Sequence, residues 1–142
     1  MSHQCTHVLV RCMDFRLTRE MNKWMEAQGY IGDCDLVSLA GAAKIIADGS
    51  EPGEMLLGQI ALSAKLHHSH CVALFHHSQC GAYAAGHTFA DAAAEKAKQV
   101  ADMKKAAEII KAKNPSMNVK LFWANLRDDS GREIEFEEIA YR

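Results

Sequence analysis

The chain has 142 residues, 49% hydrophobic and 24% charged, with a net charge of −2, which suits one domain, residues 1–142, around one sizeable core. A slightly acidic chain has no basic field with which to hold nucleic acid or an anionic membrane. No apolar run approaches the roughly 18 residues that span a bilayer, and the opening MSHQCTHVLV lacks the charged and apolar regions of a signal peptide, so the expected compartment is the cytoplasm.

The first element is a short aliphatic strand, Val8 to Val10, of the kind buried on both faces of a sheet. Leu17, Met21, Trp24 and Met25 follow at helical spacing, and Gly29 suits the left-handed position past a helix end. CDLVSLAG reads as a second strand running into a glycine turn. The next helix opens at Ser50 with Pro52 in its first turn and carries Leu56, Ile60 and Ala64 on one face. CVALF, Cys71 to Phe75, is the third strand. From Ala90 to Lys113, Val100, Met103, Ala107 and Ile110 recur at steps of three and four, which predicts a long amphipathic helix stopped by Asn114-Pro115. NVKLFWANL is a fourth strand. After the turn DDSG, REIEFEEIA alternates polar and apolar residues as a half-exposed edge strand does. The order β-α-β-α-β-α-β-β implies an α/β fold with a parallel, helix-covered sheet and right-handed crossovers.

Ligands of such sheets gather at the carboxyl ends of the strands. Strand one leads there into Cys12, Asp14 and Arg16, and strand three into HHSQCGA. A strand pleat would aim Cys12, Asp14 and Arg16 to one side and turn Met13 and Phe15 away to pack. His77 and Cys80 are spaced to share one ion as a strand turns into a loop, with Cys12 as a second thiolate. Two thiolates and an imidazole suit Zn²⁺, and three protein ligands leave a fourth position open, as in a catalytic site. The plainer alternative makes Cys12 and Cys80 small core residues and Asp14–Arg16 a surface ion pair. Arg16 has the planar fork that holds a carboxylate in two places.

Five cysteines, an odd number, argue against a disulfide framework, and Cys5, Cys34 and Cys71 read as structural thiols. Of the eight histidines, five lie between positions 67 and 77. Strand alternation sends His76 and His77 to opposite faces, so one at most can meet the metal. His67, His68 and His70 fall at a helix C-terminus and the loop after it. His87, past the metal loop, is a candidate proton shuttle.

CMDFR resembles the Cys-x-Asp-x-Arg motif of the β-class carbonic anhydrases, and HSQCGA resembles their His-Ser-x-Cys-Gly motif. The distance between the motifs, the LAG turn, the helix before strand three and the tail LFWANLRDDSGREIEF are similar to that family as well. The resemblance implies a sheet of four parallel strands plus an antiparallel edge strand, with helices on both faces. It selects His77 over His76, makes Cys12, His77 and Cys80 the zinc ligands and makes Asp14 and Arg16 the catalytic dyad. It also implies reversible hydration of carbon dioxide to bicarbonate, with the dyad orienting the attacking hydroxide, in a homodimer or dimer of dimers. Family members commonly carry Arg-Asn-Ala-Gly-Asn after strand two; here Ser38-Leu39-Ala40-Gly41-Ala42 stands in its place. That more apolar pocket leaves two further readings, a zinc hydrolase of carbonyl sulfide or carbon disulfide and a non-catalytic zinc-binding protein.

Overall fold

A computed structural model describes residues 3–141. Its sheet has the strand order β2-β1-β3-β4-β5, where β1 is His7–Arg11, β2 Cys34–Ser38, β3 Cys71–His77, β4 Asn118–Leu126 and β5 Ile134–Ile139. The pairings β1–β2, β1–β3 and β3–β4 are parallel, and β4–β5 is antiparallel. This is the sheet that the resemblance implied. The helices are α1 Thr18–Ala27, α2 Lys44–Ala47, α3 Glu51–His67, α4 Gly81–Ala84 and α5 Ala92–Lys113. The four-residue helices α2 and α4 were not expected; each is too short to carry a hydrophobic period.

The pleat divides the core in two. Val8, Val10, Val72, Leu74, Val119, Leu121 and Trp123 meet α2, α3 and α5 through Ile46, Leu56, Ile60, Met103, Ala107 and Ile110. Leu9, Ala73, Phe75, Phe122 and Ala124 face the other way, onto Leu17, Met21 and Met25 beside α1. Trp24 anchors α1 there, edge-on to Phe75 and Phe122 at 4.8 and 5.2 Å. All seven residues of β3 are buried. Such a central strand needs apolar or fully paired side chains on both faces, so the two histidines that end it require partners.

Two expectations about the first motif are corrected. The alternation of Cys12, Asp14 and Arg16 is not a pleat, because β1 ends at Arg11. Asp14 leaves the strand and caps a 3₁₀ turn, Phe15–Leu17, accepting the Arg16 backbone N–H on its own carboxylate. A short polar side chain at a helix start competes well for that orphan donor. Met13 and Phe15 do not pack either; they are 64% and 80% exposed. The second strand runs into its glycine turn as expected and ends at Ser38. Leu39, Ala40 and Gly41 form the turn, with Gly41 at φ +76°.

Candidate metal centre

The carboxyl ends of β1 and β3 are neighbours in the sheet, and each delivers half of the site. Cys12 follows β1 directly, and His77 is the last residue of β3. Cys80 caps α4, whose Tyr83 and Ala84 N–H groups donate to the Cys80 carbonyl. Ligand atoms of Cys12, His77 and Cys80 all lie within 4.8 Å of one another, and all three residues are buried.

Three observations fit this set to a metal ion. The two sulfurs are 4.0 Å apart, against the ~3.8 Å that two 2.3 Å bonds to a tetrahedral ion would give. His77 Nδ1–H donates to the Ser78 carbonyl at 2.7 Å, which fixes the tautomer and leaves the Nε2 lone pair free. Finally, His77 Nε2 is buried without a hydrogen-bond partner. An unpaired buried acceptor costs about 1–3 kcal/mol, and a cation among the two thiols would relieve that cost. The hydrogen bond from Cys80 pulls the Cys12 thiol down to about 4 against its burial, and the same bond pushes Cys80 up.

Asp14 stands beside these groups. Its Oδ2 is 3.8 Å from His77 Nε2, and Arg16 holds the carboxylate through Nε at 3.1 and 3.2 Å and Nη2 at 2.6 Å. Those hydrogen bonds keep the Asp14 carboxyl below its usual range despite partial burial. Arg16 also donates from Nη2 to the Gln79 carbonyl at 2.9 Å and from Nη1 to Gln79 Oε1 at 3.4 Å, which ties the two motifs together. Beneath the 3₁₀ turn lies Gly131. A Cβ there would sit 2.0 Å from the Arg16 carbonyl oxygen, so the β4–β5 turn braces the dyad and accepts no larger residue. An open hollow of about 510 Å³ leads to the site, lined by Met13, Asp14, Phe15, Ala40, Gln79 and Ala82 among others.

The residues that hold the metal loop escaped the sequence reading. Gln79 has a left-handed backbone, φ +57°, a conformation that costs a non-glycine residue about 1 kcal/mol or more. It is held by Glu95 of α5, which accepts the N–H groups of Gln79 at 2.8 Å and Cys80 at 3.1 Å. Gln99 donates to the His77 carbonyl at 2.9 Å and accepts from His76 Nδ1 at 3.0 Å. His76 Nε2 in turn accepts the Ala43 N–H at 3.2 Å. His76 is thus a buried strut between α5 and the turn after β2, pushed down to about 4 by burial, and it lies on the face of β3 away from the metal donors. A signal for Glu95 and Gln99 did exist. With Asp102 they stand at steps of four and three and continue the stripe of Met103, Ala106 and Ile110, and all three are at least nine-tenths buried. His87 Nδ1–H donates to the Tyr83 carbonyl at 3.1 Å, and the ring stacks on Phe89; it is not among the residues lining the hollow.

A family model described as "Putative carbonic anhydrase" matches residues 2–135, and the chain belongs to that family. It is 30% identical over 129 residues to uncharacterized proteins of Rickettsia conorii and Rickettsia bellii. These matches cover 87% of this chain and 69% and 79% of those proteins. Its fold superposes on the crystal structure of the β-carbonic anhydrase CafA of Aspergillus fumigatus with a TM-score of 0.63 at 13% identity, over 96% of this chain and 76% of CafA. At that identity the likeness establishes the fold, so the chain is a divergent member with the β-carbonic anhydrase architecture. No helix of the described residues is long and apolar enough to cross a membrane.

Proposed function

We propose that the chain is a zinc-dependent carbonic anhydrase that interconverts carbon dioxide and water with bicarbonate and a proton. The observation that carries this reading is the unpaired, buried Nε2 of His77 facing the sulfurs of Cys12 and Cys80, beside a carboxylate clamped by Arg16. Cys12, His77 and Cys80 would hold the zinc, which when bound supplies a Lewis acid that brings a coordinated water to a pKa near 7.

The chain's own groups do the rest. Arg16 keeps Asp14 ionised and fixes its rotamer, so the carboxylate can only accept a hydrogen bond at the mouth of the site. Accepting one from the attacking oxygen turns that oxygen's lone pair toward the incoming carbon. Because Asp14 is held below its usual range, it orients the nucleophile and leaves the proton to solvent or buffer. The apolar walls of Met13, Phe15, Ala40 and Ala82 admit a small linear apolar substrate and give a charged product little to hold. The same walls would admit carbonyl sulfide or carbon disulfide.

Stopped-flow hydration of carbon dioxide by the zinc-loaded protein tests the reading. We expect turnover in the wild type and none above the buffer rate in Cys12→Ser. Equal rates in the two would overturn it. Sulfide released from carbonyl sulfide or carbon disulfide, without hydration, would move the assignment to the hydrolase. Stoichiometric zinc with neither activity would make the chain a binding protein.

A further inference from the structure

The opposite end of the sheet carries a second convergence of donors. Cys5 lies just before β1, Asp35 near the amino end of β2 and His67 at the end of α3. A thiol, a carboxylate and an imidazole from these three segments lie within 4.8 Å of one another. We propose that Cys5, Asp35 and His67 form a second site for a borderline divalent cation such as Zn²⁺, separate from the centre at Cys12.

The backbone assembles this set without the ion. Cys5 N–H donates to the His67 carbonyl at 3.0 Å, and the N–H groups of His70 and Cys71 donate to the Thr6 carbonyl at 3.0 and 3.2 Å. The Asp33 side chain accepts the Thr6 N–H at 2.8 Å. Ser63 donates to Asp35 Oδ2 at 2.7 Å and shares a hydrogen bond with Ser69 at 2.8 Å, the kind of outer support that orients a ligating carboxylate. His67 Nδ1 lies 2.9 and 2.7 Å from the two Asp35 oxygens. Bonds of about 2.0–2.1 Å to a tetrahedral ion would place those atoms about 3.3 Å apart, so exchanging the bridging proton for a cation needs a shift of about half an ångström. The side chains of His67 and Asp35 are 31% and 33% exposed, which gives the ion a way in.

Charge and donor chemistry point the same way. Among the described residues, neither Asp33 nor Asp35 has a lysine or arginine ion-pair partner; their partners are His7 and His67. The ring of His3 lies 5.3 Å from that of His67, within reach as a fourth donor. Sulfur, nitrogen and a single carboxylate favour a zinc-like ion over magnesium or calcium, which want oxygen on nearly every side. A nucleophilic triad is the weaker reading of the same residues, because the Cys5 thiol donates to the His7 carbonyl at 3.3 Å and not to the imidazole that would have to activate it.

The test is competition of the full-length apo-protein with a chromophoric chelator for zinc, together with cobalt substitution. We expect the wild type to bind two equivalents of zinc and Cys5→Ser and His67→Gln to bind one each. Cys12→Ser should still bind one equivalent, with a thiolate-to-cobalt charge-transfer band that disappears in the double variant Cys5→Ser/Cys12→Ser. Carbon dioxide hydration should be the same in Cys5→Ser as in the wild type, so the two centres are scored apart. Zinc binding that Cys12→Ser abolishes and Cys5→Ser leaves intact would overturn the second site. So would a second equivalent lost only on replacing His68 and His70, since that ion would be held by surface imidazoles.

Discussion

At the scale of single residues, all three guanidinium nitrogens of Arg16 donate to Asp14 or Gln79. One side chain therefore sets both the charge of the carboxylate and the position of the metal loop. The sign of its effect on stability follows from the Asp14 shift. Arg16 holds the Asp14 carboxyl below its ordinary value, and the unfolded chain titrates near ~3.9. The pair's contribution is then complete above about pH 4 and is lost as pH falls through the folded-state value. Hydrogen bonds to charged groups contribute about 1.5–3 kcal/mol, so Arg16→Gln should lower the unfolding free energy at pH 7 by about 1–2 kcal/mol. Urea unfolding at a series of pH values checks this. The gap between wild type and variant should narrow in strong acid to what the Gln79 hydrogen bonds contribute, and a gap that stays constant with pH would show that Asp14 ionisation has no part in it. The donor types at Cys12, His77 and Cys80 and the pair Asp14–Arg16 were legible in the sequence because ligand chemistry and spacing are written in the residues themselves. Their conformation was not: a Cys-x-Asp-x-Arg run alternates equally well on a strand or on a strand end followed by a capped turn, and only the Asp14 cap decides between them.

At the scale of elements, α5 serves both as half of the core wall and as the support of the site. Its apolar stripe from Met103 to Ile110 faces the sheet, and the same face, continued towards its N-terminus, presents Gln99 and Glu95 to β3 and the metal loop. Glu95 is the more exacting of the two. Its carboxylate accepts two consecutive N–H groups, the buried one of Cys80 and that of Gln79, whose backbone is left-handed, and lies 3.3 Å from Gln99 Nε2. Replacing it by alanine removes that clamp while leaving helix propensity favourable. Glu95→Ala should therefore keep the far-ultraviolet circular dichroism of the wild type yet weaken zinc binding about 10–100-fold, the usual cost of losing an outer support. Chelator competition measures it, and unchanged affinity would assign Glu95 to folding alone. The long elements were readable because α3, α5 and β4 carry several periods of their pattern. α2 and α4 were not, being four residues long. Glu95 and Gln99 are not legible as supports because polar residues in an Ala- and Lys-rich helix usually face solvent, and their burial depends on which strand end the helix crosses.

At the scale of the whole molecule, the exposed apolar surface is unevenly spread. Phe15 and Met13 are 80% and 64% exposed at the rim of the site, and Leu36, Leu62 and Leu66 are 48%, 43% and 56% exposed along β2 and α3. β2 is the edge of the sheet on that side, with one row of backbone groups unpaired by any strand among the described residues. An edge of this kind invites another chain unless it is blunted by charge or covered, and large exposed apolar side chains in one region mark an association surface. We therefore propose a homodimer joined on this side, in which the partner covers Phe15 and narrows the mouth of the metal centre. Light scattering should report about twice the 15.7 kDa of one chain. Phe15→Glu places a charge where the partner's apolar surface would lie, and unpaired burial of that charge is costly enough to release a monomer. Leu36→Lys tests the strand edge by the same logic. Because neither side chain contributes a metal donor, zinc stoichiometry should persist in both variants. A wild type that scatters as a single chain would remove the dimer, and a dimer that survives both substitutions would place its interface on another face of the molecule.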